Sequence, residues 1–184
     1  LILCNNLNVG SVTNHISLRE VPEIITKELI TNKLNVFTKT LQEDFNIPYP
    51  RIAIMGLNPH IGDDGLYGKE ESQIIIPAIK EAKDKGQLVF GPFSADGFFG
   101  SAAWTKYDGI LCMYHDQAMI PFKTLAVDGG VNFTAGLPVI RTAPDHGTGY
   151  DIANKNIADP NSFRHAIYLA LDILKNRRQK KETL

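Results

Sequence analysis

The chain has little cysteine, no excess of either charge and no long apolar run, and each shortage excludes something. Its two cysteines, Cys4 and Cys112, both lie inside apolar strand-like runs. With no CxxC spacing they make neither a metal nor a redox motif, and they read as small buried hydrophobes of a reducing compartment rather than a disulfide. The formal net charge of -1 leaves no basic excess to draw nucleic acid or a membrane surface. The one basic cluster, Lys175 to Lys181, follows a helical pattern and reads as a solvated last turn that suits that helix's own dipole. No apolar run approaches the roughly 18 residues of a membrane span. A signal-peptide pattern is lacking too, but the chain opens Leu1-Ile2-Leu3-Cys4 rather than on Met, and the expectation is that a segment precedes it. What is present, 184 residues of which 43% are hydrophobic and 21% charged, suits one globular domain or part of a larger enzyme.

Strand and helix patterns alternate. Leu7–Thr13, Arg51–Met55, Leu88–Phe90 and Gly109–Met113 read as strands. Ser17-Leu18-Arg19-Glu20 is a capping-box pattern that opens a helix. Further helices are predicted over about Leu34–Phe45, over Glu70–Lys85 with Gly86 at its end, over Ser101–Lys106 and over Ser162–Lys175. In the last, Phe163, Ala166, Ile167, Ala170, Leu171 and Leu174 share one side. This rhythm predicts an α/β fold with a largely parallel central sheet. The stretch Leu125–Asp159 is irregular, rich in Gly, Pro, Asn and Asp, and its apolar content favours an ordered, functional segment.

Three histidines each follow a strand pattern within a turn: His15 in Thr13-Asn14-His15, His60 in Asn58-Pro59-His60, and His115 in Met113-Tyr114-His115-Asp116. Ligands gather at the carboxyl ends of strands in α/β sheets, and three imidazoles there make a metal site with open positions. Asp116 and Asp63 are candidates to orient those rings. Any one histidine reads more plainly as a turn or core residue, and spacing alone does not show that the three converge. A second set, Asp145-His146-Gly147-Thr148-Gly149-Tyr150-Asp151, has the small residues that let backbone approach an anion, with Asp151 as an acceptor for a ribose or adenine donor. Its plain reading is a polar surface loop. Lys123, Asn132 and Arg141 form a third set. Arg141 offers a two-pronged donor for carboxylate or phosphate, and Lys123 a phosphate contact or a proton carrier. Asp96 reads equally as a ligand-orienting carboxylate and as a helix N-cap.

Taken in order, Gly56-Leu57-Asn58-Pro59-His60, Gly68-Lys69-Glu70-Glu71, Ile76-Pro77-Ala78-Ile79, Ala95-Asp96, Met113-Tyr114-His115-Asp116-Gln117, Val131-Asn132-Phe133-Thr134, Gly136-Leu137-Pro138, Ile140-Arg141-Thr142 and Asp145-His146-Gly147-Thr148 resemble the 4-hydroxythreonine-4-phosphate dehydrogenase family of pyridoxal phosphate biosynthesis. The loop from His146 to Pro160 is also similar to the cofactor-adenosine loop of isocitrate and isopropylmalate dehydrogenases. The resemblance implies their α/β fold, with a mostly parallel central sheet flanked by helices and the N-terminal lobe largely missing. It implies a metal- and substrate-binding, dimer-forming domain over residues 1–140, and a segment of the cofactor-binding lobe over residues 141–184.

By the same resemblance, His15, His60 and His115 are metal ligands, Lys123, Asn132 and Arg141 bind substrate, and His146, Gly147 and Asp151 meet NAD. Lys123 and Asp116 are the candidate catalytic residues. The expected reaction is a metal-dependent, NAD-linked oxidation and decarboxylation of 4-phosphooxy-L-threonine to 3-amino-2-oxopropyl phosphate. Zinc is the favoured metal, with magnesium or cobalt as alternatives. The expected assembly is a cytoplasmic homodimer with its active site at the subunit interface, so that one chain need not supply all three histidines. Family members are much longer, and the region with their Gly-His-Thr phosphate motif is absent here. Many also have Thr at the position of Gly97 and Gly at that of Ala118. The alternatives are a same-scaffold dehydrogenase for threonate or erythronate phosphate or a dihydrodiol carboxylate, a non-catalytic metal-binding or dimerisation fragment, and a metal-assisted hydrolase.

Overall fold

Uninterrupted apolar runs such as Ile52-Ala53-Ile54-Met55 are stable as strands only when both of their faces are covered. The structure, a computed structural model, describes residues 1–4, 6–126 and 129–183. Its strands are β1 (Ile2–Cys4), β2 (Leu7–Ser11), β3 (Ile52–Met55), β4 (Val89–Phe93), β5 (Gly109–Cys112), β6 (Val131–Phe133) and β7 (Thr142–Pro144). Its helices are α1 (Val21–Ile24), α2 (Lys27–Glu43), α3 (Ile76–Asp84), α4 (Ala95–Gly100), α5 (His115–Leu125) and α6 (Asn161–Thr183).

One sheet has the order β4-β3-β5-β2-β1-β6-β7. β4, β3, β5 and β2 are parallel, whereas β1, β6 and β7 pair antiparallel. The fold is therefore α/β as expected, with a mixed sheet whose parallel half carries the three histidines. The antiparallel half arises because β1–β2 and β6–β7 are joined by connections that reverse the chain, whereas parallel neighbours need a crossover. β6 and β7 are three-residue strands within the irregular Leu125–Asp159 stretch, too short to show a period; residues 127 and 128 of that stretch lie outside the described residues.

The pleat sends Ile52, Ile54 and Leu111 to one face, where they meet Ile30, Leu34, Phe37 and Leu41 of α2 and Ala78 of α3. Ala53, Met55, Ile110 and Cys112 go to the other, against Phe98 of α4 and Ala118 and Phe122 of α5. Each fully buried Leu, Ile or Phe contributes about 1.5–3 kcal/mol of transfer free energy. Burial pushes the Cys112 thiol up, out of the reactive range.

Several boundaries differ from the sequence reading. α2 starts at Lys27 rather than near Leu34, because the Thr26 hydroxyl accepts from the Leu29 N–H at 3.1 Å and caps it. The Glu20 carboxylate does reach back to the Ser17 N–H and hydroxyl, at 3.1 and 2.9 Å, but this closes a turn ahead of the four-residue α1. The Glu70–Lys85 helix begins as a π turn over Glu71–Ile75 and becomes α3 where Pro77 lacks an N–H. Gly86 ends it as expected, in the left-handed region at φ +80. Asp96 is not an N-cap; Ser94 holds that position and Asp96 lies in the first turn of α4.

The apolar side predicted for the last helix is largely outward. Ala166 and Ile173 are buried in α6, but Phe163 and Leu171 are each 57% exposed. The basic cluster is not simply solvated either. Arg177 binds the buried Asp44 carboxylate through Nε at 2.6 Å and Nη2 at 3.2 Å. Asn176 donates to the Asp44 carbonyl and Lys180 to the Gln42 carbonyl, at 2.7 and 2.6 Å. Arg177 and Lys180 thus serve the carboxyl end of α2. The Lys181 side chain lies outside what the structure describes.

Candidate active site

β3, β5 and β2 are consecutive in the sheet and parallel, so their carboxyl ends lie along one edge. His60, His115 and His15 follow them in that order. The β2–β5 ladder continues past the strands: Val12 N–H donates to the Cys112 carbonyl at 2.9 Å and Thr13 N–H to the Met113 carbonyl at 3.1 Å. The Thr13 hydroxyl, itself buried, donates to the same Met113 oxygen at 2.8 Å. Held this way, the His15 and His115 rings lie 5.7 Å apart, centroid to centroid, over a small pocket shared with Asn14, Tyr114 and Asp116. His115 is not in a turn, as its sequence context predicts, but is the first residue of α5. Its Nδ1 lies 2.7 Å from Asp116 Oδ1. An ionised carboxylate only accepts, so Nδ1 carries the proton and Nε2 keeps its lone pair for a ligand.

Gln117, which the sequence reading passed over, joins two of the strand ends. Its Oε1 accepts from Met113 N–H and its Nε2 donates to the Gly56 carbonyl, both at 2.7 Å. A polar residue directly behind a His-Asp pair at a strand end was the available signal.

His60 sits in an unusual turn. From His60 to Asp64 every residue has positive φ: 52, 54, 85, 45 and 52 in turn. Only Gly62 among them is glycine, and each L-residue in this region costs roughly 1–2 kcal/mol. Asp63 contributes its carbonyl to Leu66 N–H at 3.0 Å. Asp96, in the first turn of α4, is held below the usual carboxylate range first by the Ser94 hydroxyl and then by the Gly97 N–H, with His60 a smaller contributor. The His60 ring also lies 6.4 Å from that of Tyr67.

Apart from Lys123, the remaining candidates lie on the antiparallel side and the loop beyond it. Lys123, in the last turn of α5, pairs with Asp145 at 2.9 Å. Asn132 is the exposed middle residue of β6, opposite Ala143 of β7. Arg141 Nη1 donates to the Thr134 hydroxyl at 2.8 Å. His146 Nδ1 donates to the Gly147 carbonyl at 2.9 Å, and His146, Gly147 and Asp151 line a broad open groove against α6. The Lys123–Asp145 pair joins the cation of the third set to the start of the second.

The donor set suits a borderline divalent ion in part. Two imidazoles face one pocket, one already oriented by a carboxylate. His60 does not join them: among the described residues no three His, Cys, Asp or Glu side chains are grouped to hold a metal. One chain thus presents a pair and a separate third ring.

The family model described as pyridoxal phosphate biosynthetic protein PdxA matches residues 1–170. A 4-hydroxythreonine-4-phosphate dehydrogenase of Bacteroides thetaiotaomicron is 55% identical over 181 residues, 98% of this chain and 50% of that protein. The crystal structure of the enzyme of that name from Klebsiella pneumoniae superposes with a TM-score of 0.81 at 42% identity, covering 94% of this chain and 52% of the other. A terephthalate 1,2-cis-dihydrodiol dehydrogenase from Burkholderia xenovorans matches at 29% identity and a TM-score of 0.74, over 92% of this chain and 53% of that one. The chain spans about half the length of the curated relatives it matches.

Proposed function

Because the chain belongs to the pyridoxal phosphate biosynthetic protein PdxA family, we propose that it supplies the C-terminal half of a cytoplasmic dehydrogenase acting on 4-phosphooxy-L-threonine. Oxidation of the substrate's C3 hydroxyl gives a β-keto acid, which loses carbon dioxide to leave 3-amino-2-oxopropyl phosphate. The observation that carries this reading is the His15–His115 pair at neighbouring strand ends, with Asp116 fixing the His115 tautomer. His15 and His115 would hold a divalent ion, zinc first by donor type, which would supply Lewis acidity there, and NAD, when bound, would supply the hydride-accepting chemistry.

The chain's own residues do the rest. Asp116 accepts from His115 Nδ1 and so leaves the Nε2 lone pair for a ligand. Lys123, poised by Asp145, or a water held by Asp116, moves the proton of the oxidised hydroxyl and returns one to the carbon left by carbon dioxide. Arg141 and Asn132, both exposed, bind the substrate's anionic groups. His146, Gly147 and Asp151 meet the cofactor in the groove against α6. Residues 1–140 are then the metal-, substrate- and dimer-forming part, and residues 141–184 belong to the cofactor lobe. The separation of His60 from the other two rings favours a homodimer in which His60 completes the set from the partner subunit.

The test is His115→Ala in the full-length protein. The expected outcome is loss of stoichiometric metal binding and of turnover; full metal content with unchanged turnover overturns the assignment. The likeness to the Burkholderia dihydrodiol dehydrogenase favours a second reading, the same scaffold with a different hydroxy acid. Comparing NADH formation from 4-phosphooxy-L-threonine, phospho-threonate, phospho-erythronate and a dihydrodiol carboxylate separates the two.

A further inference from the structure

Glu71 is buried to 3% exposure, yet it is one turn ahead of Ile75 on the apolar face of its helix. A carboxylate there needs partners, and all of them come from the loop that leads to His60. Oε1 accepts from the Leu57 and Asn58 N–H groups, each at 2.7 Å. Oε2 accepts from Asn58 Nδ2 at 3.0 Å, and that nitrogen also donates to Glu70 Oε2 at 2.7 Å. The loop then bends back over the same group. A Cβ on Gly62 would stand 2.9 Å from Glu71 Oε2 and 3.0 Å from the Gly68 carbonyl, and one on Gly56 3.2 Å from Glu71 Oε1. Residues 56, 57, 58 and 62 therefore all crowd one carboxylate, and His60 is carried between them.

The turn so enclosed is the one with four non-glycine residues at positive φ, including the β-branched Ile61. Such backbone persists only where its surroundings over-determine it. We propose that Glu71 is the positioning residue for His60: its buried carboxylate pins Leu57 and Asn58 and so holds the left-handed turn that presents the imidazole. The idea rests on the reading of His60 as a metal ligand only for its purpose, not for its geometry.

The test uses Glu71→Gln, with Ile79→Val as a control for loss of stability elsewhere on the following helix. Gln keeps an acceptor for the two N–H groups but sets an amide against Asn58 Nδ2. Histidine side chains labelled with nitrogen-15 are followed by NMR in the metal-free chain, and cobalt is then titrated. The expected result is a shifted or broadened His60 ring signal in Glu71→Gln, unmoved His165 signals, and cobalt binding weakened by about 10- to 100-fold. Ile79→Val is expected to lower the Tm and leave the His60 signal in place. An unchanged His60 signal in Glu71→Gln, or the same change in Ile79→Val, overturns the proposal. If Glu71→Gln does not fold, Glu71→Asp, which withdraws the same charge by one methylene, carries the same comparison. If cobalt leaves the wild-type His60 signal unmoved, the metal reading of His60 fails, while the metal-free spectra still decide the role of Glu71.

Discussion

Gly62 is where one methyl group bears hardest on the His60 turn. Its φ of +85 is strained for any L-residue, and the added Cβ would meet the Gly68 carbonyl, which is backbone and has little freedom to yield. Gly62→Ala is expected to destabilise the chain by about 1–3 kcal/mol, read as a lowered urea midpoint with an unchanged slope. A midpoint equal to wild type would show that the turn yields. At this scale the sequence told more about identity than about placement. That His15, His60 and His115 follow strands was legible, because each comes after an apolar run that could be recognised. That His60 stands apart was not, since nothing local fixes how far a turn travels. Glu71 was readable in one respect: it lies four residues before Ile75, and a charge on an apolar helical face signals a buried, partnered group.

Among the elements, α3, β3 and β5 were legible because their residues satisfy local and global demands at once. α5 was not, because Pro121 within it reads as a breaker and its buried contacts, Ala118 and Phe122, are few. α6 shows how tertiary contacts override a pattern. Its most apolar side is outward, while its cations reach α2. Arg177→Ala leaves the Asp44 carboxylate, with its side chain 5% exposed, without its guanidinium partner. The expected cost is about 3 kcal/mol in urea unfolding, with Arg177→Lys intermediate because a single ammonium cannot reproduce the two-pronged contact. A loss below 1 kcal/mol would mean that solvent replaces the pair. By contrast, Leu171→Gln changes a side chain already mostly in water, and its unfolding free energy is expected to stay within about 0.5 kcal/mol of wild type. A larger loss would place Leu171 in a packed interface in solution.

For the molecule as a whole, the α/β alternation was legible and the mixed sheet was not, since strand direction depends on connections that composition does not specify. The proposed shared site has a consequence for mixtures. Neither His60→Ala nor His115→Ala chains alone should bind cobalt as wild type does. In a mixed dimer one site carries both substitutions and the other neither, so random mixing is expected to restore about a quarter of the wild-type cobalt absorption. No recovery on mixing would place all the ligands in one chain.

The clasp between α6 and α2 also sets an order of events. Its hydrogen bonds join residues 132 to 138 positions apart. As the chain leaves the ribosome, α2 is complete long before the residues that close its end exist. The last carbonyls of α2 must therefore stay with water until Asn176, Arg177 and Lys180 emerge, and the clasp is a late step of co-translational folding.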